Sequence, residues 1–340
     1  MKKKNGTFDM GSKAYKDIED IIKKSGSSNY AEASANQQTM AQLAQAALRE
    51  GIMDGDNLGG IYFVDNIEPG VSPNYPLSFL TPGTEKDFAA YTMPQQGAIP
   101  ERSIEGDEVY VKTYEIANSI GWPLKYARQA RWPMIAAALN VLEAGIVKKL
   151  NDDGWHTILG AALDRGLLVV DSAAVPGQFT RKLISLVKLA MRRNGGGNST
   201  SVNRSKLTDL YVSAEAMEDI RNWGADEVDE VTRRELLFQP DGTVGRIYNV
   251  NIHDFDELGE GQSYQSYYTD TLSGTMGSGD LEICVGVDLS KEGIFIMPVD
   301  QPLEVTEDPM LHRKGSAGYY ARQGQGFMVG DSRAVILGSF

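Results

Sequence analysis

Cysteine is nearly absent: the 340 residues hold one, Cys284. A single thiol excludes an internal disulfide and the cysteine-rich kind of zinc site. Histidine is scarce too, with His156, His253 and His312 as the three examples, so the commonest general base is in short supply. No stretch approaches the ~20 apolar residues of a membrane span. Met1-Lys-Lys-Lys4 is followed by no apolar core of a secretory signal, so the chain is expected to be soluble and made in a reducing cytoplasm. Basic charge is in deficit: 33 Lys and Arg stand against 46 Asp and Glu, a net charge of −13. That balance argues against wrapping nucleic acid as the main task, because phosphate binding needs a basic face. It leaves room for a surface that sits beside nucleic acid without adhering to it.

Chemical motifs are missing as well. There is no Gly-x-Ser-x-Gly elbow and no Walker-type phosphate loop. Gly274-Thr-Met-Gly-Ser-Gly279 is glycine-rich, but it follows no apolar strand and precedes no helix, and it reads as a loop. Cys284 lies in Leu281-Glu-Ile-Cys-Val-Gly-Val287, a buried-strand pattern that makes it an inert core thiol. His156 falls on a long helix and reads as packing; His312, beside Arg313 and Lys314, reads as exposed. His253 precedes an acidic run, Asp254, Asp256 and Glu257, the one candidate for a divalent cation. The run lacks the glycine and distal glutamate of a calcium loop, so a solvated turn is expected. No catalytic residue, metal or cofactor is assigned.

What is present suffices for a core, since 41% of residues are hydrophobic. Residues 1–60 differ from the rest. Lys2, Lys3, Lys4, Lys13, Lys16, Lys23 and Lys24 make the start basic, and 26–50 are small and polar. A flexible tail or an arm that orders on a partner is expected, with a helix over 41–49. Pro69, Pro73, Pro76, Pro82, Pro94 and Pro100 punctuate the next region and oppose helix. Residues 84–93 and 107–118 read as two strands with a polar tip over 94–106. The second would run about 40 Å. A two-stranded ribbon is marginal in water, so this one needs a surface to lie on.

A long helix follows. Pro123 fits its first turn, and Pro133 either kinks or restarts it. Ile135, Leu139, Leu142, Ile146 and Leu150 recur at helical spacing. Met134, Val141 and Val147 widen that face, which predicts burial on more than one side. Gly145, Gly154 and Gly160 suggest close approach of another backbone. Residues 179–193 predict an amphipathic helix, Leu210–Ser213 a buried strand, and Ser213 a helix cap. Strands and turns are expected to alternate over 244–299, with further strands over 294–299, 302–306 and 317–323. Gly326–Val329 and Arg333–Leu337 read as a closing hairpin. The class is α+β.

This order of elements resembles the major capsid protein of tailed bacteriophages, the Hong Kong 97-like fold. Glu108–Asn118 resembles the returning strand of that family's extended loop, and Trp122–Leu163 its spine helix. Leu210-Tyr-Val-Ser-Ala-Glu-Ala-Met-Glu-Asp-Ile220 resembles the strand and short helix of its axial domain. Tyr320-Ala-Arg-Gln-Gly324 and Phe327-Met-Val-Gly-Asp-Ser-Arg-Ala-Val-Ile-Leu337 resemble its final segment. The likeness covers roughly 60–340. It implies an N-terminal arm at 1–60, an extended loop with its flanks at 61–122, and a spine helix of the peripheral domain at 123–175. It places the axial domain at 176–290 and the peripheral strands at 291–340.

The resemblance further implies hexamers and pentamers that close an icosahedral virion around double-stranded DNA, assembled in the host cytoplasm with no membrane. Scaffolding, portal and cement proteins are the implied partners. DNA is enclosed without sequence-specific binding. Lys86, Arg102, Glu105, Glu108 and Lys112 are the expected inter-subunit residues of the extended loop. Some relatives join subunits by a Lys–Asn isopeptide bond near the C-terminus. Here no Asn follows Asn251, so no such link is expected. The basic start is expected inside, near DNA or scaffold. Other readings are an encapsulin-type compartment, a phage tail or adaptor protein, and a metal-dependent cytoplasmic hydrolase built on 253–257.

Overall fold

The computed structural model describes residues 20–27, 29–55, 57–58, 60–68, 71–76, 108–129, 132–193, 205–223, 246–277, 282–291 and 293–340. The elements run α1 (Tyr30–Gly55), β1 (Phe63–Asn66), β2 (Asn74–Pro76), β3 (Glu108–Tyr110), β4 (Tyr114–Pro123), α2 (Leu124–Arg128), α3 (Trp132–Arg165) and β5 (Leu168–Val170). Then come α4 (Arg181–Arg193), β6 (Asp209–Val212), α5 (Ala214–Asn222), β7 (Arg246–Ile247), β8 (Val250–Asp254), α6 (Ser263–Tyr267) and α7 (Ser273–Met276). The chain ends with β9 (Ile283–Val287), β10 (Phe295–Glu307), α8 (Pro309–His312), β11 (Ser316–Gln325), β12 (Met328–Val329) and β13 (Val335–Ser339). Two compact units emerge. The first gathers the described parts of 1–73, 112–153 and 297–326; the second those of 74–111, 154–296 and 327–340.

The first unit is built on a sheet of order β1-β10-β11-β4. β4 pairs antiparallel with β11 along its whole length, from Tyr114 opposite Gln325 to Pro123 opposite Ser316. The expected free strand over 107–118 is therefore not one piece. It breaks into β3 and β4 because Val111 turns inward and is buried against Ile296 and Met328. Pro123 ends β4 instead of opening a helix, and α2 starts at Leu124, whose N–H donates to the Gly315 carbonyl. Pro133 sits at the start of α3, where its missing N–H costs nothing, so the helix restarts there.

α1 corrects the reading of 26–50 as a tail: the helix is longer than 41–49 and packs within its own subunit. Ala33, Met40, Ala44, Leu48 and Ile52 form its buried stripe, whose small members hid it in the sequence. Gln45 Nε2 donates to the Leu303 carbonyl at 2.8 Å, and the Ser34 hydroxyl donates to Glu307. These bonds fix α1 on β10. α3 buries Ile135, Leu142, Ile146 and Leu150 as its spacing predicts. Met134 and Val141 instead face solvent, so in the single subunit this half of the helix is buried on one side. At Gly145 a Cβ would come 2.5 Å from the Asn118 amide, a side chain and not a backbone. Gly160 meets nothing within 4 Å.

The second unit is built on a six-stranded sheet of order β5-β13-β9-β6-β8-β7. β5 runs parallel to β13 and β6 parallel to β8; β13, β6 and β7 pair antiparallel with β9, β9 and β8. Every residue of β6, β9 and β13 is buried, which explains their unbroken apolar runs. α4 covers the sheet with Leu183, Ile184, Val187 and Met191, packed with Phe179, Cys284 and Ile336. Ser213 caps α5 as expected, its hydroxyl accepting from the Ala216 N–H at 3.1 Å. Tyr248 and Asn249, both at positive φ, form the two-residue turn joining β7 to β8.

Two expectations fail here. Residues 244–299 are not only strands and turns: 256–276 is largely helical, with a π-helical turn over Tyr268–Leu272. Tyr264, Tyr268 and Leu272, four residues apart, are its buried face. Gly274 accordingly lies inside α7 and not in a loop. The closing hairpin is also absent. β12 pairs with Phe295–Ile296 of β10, while β13 inserts between β5 and β9. Asp331 caps the 3-10 turn Ser332–Ala334 and holds Arg333 at 2.7 Å, and this turn redirects the chain. Trp155, on α3, fills the core, with ring centroids 4.5 Å from Phe255, 5.0 Å from Tyr211 and 6.0 Å from Tyr264.

Candidate assembly surfaces

Of the residues expected at inter-subunit contacts, Lys86, Arg102 and Glu105 lie outside the described residues, as do 84–93 and the tip over 94–106. The basic residues up to Lys16 lie outside them too. Glu108 opens β3 opposite Pro76 and is exposed. Lys112 is exposed in the break between β3 and β4. Among the described residues no ion pair draws these two into a cluster.

Sequence reasoning missed a different feature of the first unit: large apolar side chains facing water. Phe63 is 64% exposed, Val141 63%, Met310 64% and Met134 50%, and Val64 and Val71 are exposed as well. Phe63 and Val64 sit on β1, an edge strand of the sheet. β4, at the opposite edge, alternates exposed with partly or fully buried residues. Single exposed apolar residues are ordinary, but several on one unit make it a candidate surface for a partner. Val141 was legible as part of the helical stripe; its exposure to water was not.

The second unit carries a basic helix and a group of carboxylates. α4 carries Arg181, Lys182, Lys188, Arg192 and Arg193 and no acidic residue. Lys182 pairs with Asp171 at 2.7 Å, and that bond holds the Asp171 carboxyl below its usual range. Between α4 and β5 lies an open groove of about 450 Å³, lined by Leu167, Leu168, Val169, Val170, Leu186, Leu189, Ala190 and Arg193. Toward the β6–β8 side stand Glu215, Asp254, Asp256, Glu260 and Glu282. Burial pushes the Asp254 carboxyl up, Asp256 and Glu215 add to this, and Arg221 offsets it in part. Burial likewise pushes Glu282 up, helped by Glu215, Glu260 and Asp219 against the hydrogen bond from Ser213.

The candidate catalytic groups are placed as follows. His253 Nε2 lies 2.8 Å from Asp209 Oδ1, and its ring stacks on Tyr211 at 4.7 Å. Burial acts to raise the Asp209 carboxyl, but bonds from His253, Asn251 and Thr208 outweigh it and leave it lowered. His253 is thus turned to Asp209 and not gathered with Asp256 and Glu257. Among the described residues no three His, Cys, Asp or Glu come together as a metal would need. Cys284 is buried in β9, its thiol pushed up to about 12 by burial, so it carries no thiolate at neutral pH. His156 stacks on Tyr267 at 3.9 Å. His312, expected in the open, is only partly exposed and meets the edge of Tyr30 at 5.3 Å.

Solved structures share this architecture. One from Microbacterium phage Oxtober96 matches with a TM-score of 0.55 at 10% identity, over 84% of this chain and 90% of that one. The capsid of a native GTA particle matches at 0.50 with 13% identity, over 84% and 90%. The Cyanophage Pam1 capsid asymmetric unit gives 0.50 at 13% identity, over 79% and 84%. No family model matches the chain, and no curated protein does. The chain has the fold of these structures, α+β and Hong Kong 97-like.

Proposed function

We propose that this chain is the major capsid protein of a tailed, double-stranded DNA phage, assembling into hexamers and pentamers that close an icosahedral head. The observation that carries this reading beyond the fold is the exposed apolar set of the first unit, Phe63, Val64, Met134, Val141 and Met310. Each side chain of this size gains about 1.5–3 kcal/mol on full burial, so leaving them bare is costly unless neighbours cover them. The role is structural and not enzymatic. Its partners are copies of itself, with scaffolding, portal and cement proteins, and the virion is its location after assembly in the host cytoplasm.

In that reading 1–60 is the arm, 61–122 the extended loop and flanks, 123–175 and 291–340 the peripheral domain, and 176–290 the axial domain. Glu108 and Lys112, with Lys86, Arg102 and Glu105, make inter-subunit contacts. The arm's basic start faces the interior. With no Asn beyond Asn251, contacts are noncovalent, and mature particles run as single chains on a denaturing gel. Sedimentation of the purified chain, alone and with a scaffolding protein, tests the proposal. Megadalton particles are expected; a small oligomer under every condition overturns it.

A further inference from the structure

We propose that the groove between α4 and β5 docks a second copy of this chain through that copy's carboxylate-bearing β6–β8 side. The inference rests on the shell reading and names one contact within it.

Among the described residues β5 is the edge strand of its sheet, paired with β13 on one side only. Beside it Leu167 is 40% exposed, Val170 38% and Leu189 42%, and all three line the groove. Arg193 lines it too, with Arg192 next along α4, both exposed. An apolar trough with a cationic rim selects an occupant with apolar bulk and carboxylates. Phosphate backbone brings only the charge, and would leave the leucines and valine bare. A chain with 46 acidic and 33 basic residues presents such carboxylates on its own copies.

The carboxylates best placed are Glu215, Asp254, Asp256 and Glu260. They stand where β6 and β8 end: Asp254 closes β8, Glu215 is in the first turn of α5 directly after β6, and Asp256 and Glu260 follow β8. Burial raises the Asp254 carboxyl, Asp256 and Glu215 add to this, and Arg221 offsets it in part. Opposite charges on two separate patches of one subunit favour a head-to-tail contact, the kind that closes rings. A contact of either patch with its own copy would set like charges together.

The test uses the full chain under conditions where the wild type assembles. Arg192→Glu with Arg193→Glu, and separately Asp256→Lys with Glu260→Lys, reverse exposed charges, and circular dichroism checks that each still folds. Each pair should raise the concentration needed for assembly by about tenfold, as a few surface ion pairs turned repulsive would. Combining all four changes should bring it back toward the wild-type value. Leu189→Asp should raise it as well. The docking is overturned if the arginine pair assembles at the wild-type concentration, or if the combined variant is no better than either pair. It is equally overturned if the arginine variant assembles normally but retains less nucleic acid, since the groove would then face phosphate. A wild type that never assembles overturns the shell reading itself; assembling wild type with unaffected variants overturns this contact alone.

Discussion

In the second unit β6, β9 and β13 bury every residue, and Trp155 sits fully enclosed among Phe255, Tyr211 and Tyr264. In the first unit β4 shows alternate residues to water, and Phe63, Val141 and Met134 project outward. The same chain thus contains strands that complete their own core and elements that leave apolar surface unspent, the latter including Leu167, Val170 and Leu189 beside the sealed sheet of the second unit. Sealing against water stabilises a subunit by itself. Unsealed surface stabilises only what forms when subunits meet. The difference teaches where to look for folding and where to look for assembly.

Substitutions in the sealed region should strike folding hardest. Trp155→Ala should destabilise the second unit by about 3–5 kcal/mol, since it removes the ring at the centre of the stack and leaves a cavity. Urea unfolding followed by circular dichroism measures this; a loss below ~1 kcal/mol would break the contrast. Asp331→Ala comes next. Arg333 is buried with its guanidinium on Asp331 at 2.7 and 2.8 Å, and removing the carboxylate takes these charged bonds from a buried guanidinium. A loss of about 3 kcal/mol is expected by the same measurement.

Gly338→Ala should cost about 1–3 kcal/mol by overpacking. Its Cβ would come 2.7 Å from Cys284 Sγ and 3.0 Å from Val187 Cγ2. Adding Cys284→Ala should recover part of that loss, and the double-mutant cycle reads the coupling directly. Additive losses would show that the glycine is not there to admit the thiol. The smallest effect on folding belongs to the open region. Val141→Ser or Phe63→Ser should change unfolding by less than about 0.5 kcal/mol. Each should nonetheless weaken assembly measured by sedimentation. Equal loss of folding and assembly would erase the distinction between the two regions.

Local features of this fold could be read from sequence, and long-range ones could not. Ser213 announced its cap because the bond it makes is three residues away. The stripes of α3 and α4 and the buried run around Cys284 were legible for the same reason. The final segment was misread because Gly330-Asp331 signals a turn but not where its strands go; β12 joins β10, and β13 joins β5 and β9. β5 has three residues, too few for a pattern. The helical face Tyr264, Tyr268, Leu272 was hidden by Gly259, Gly261 and Gly274 around it. As for the surfaces, the basic run of α4 is visible in the sequence, but its groove depends on β5 lying beside it. Met134 and Val141 were taken for core because periodicity alone cannot tell a helix face that is buried from one left exposed.

An image of assembled particles by electron cryomicroscopy, resolved to side chains, tests the central claim most directly. Closed shells of five- and six-fold rings are expected, with Phe63, Met134 and Val141 covered by neighbouring copies. Particles that never close, or shells in which those side chains still face water, would contradict it.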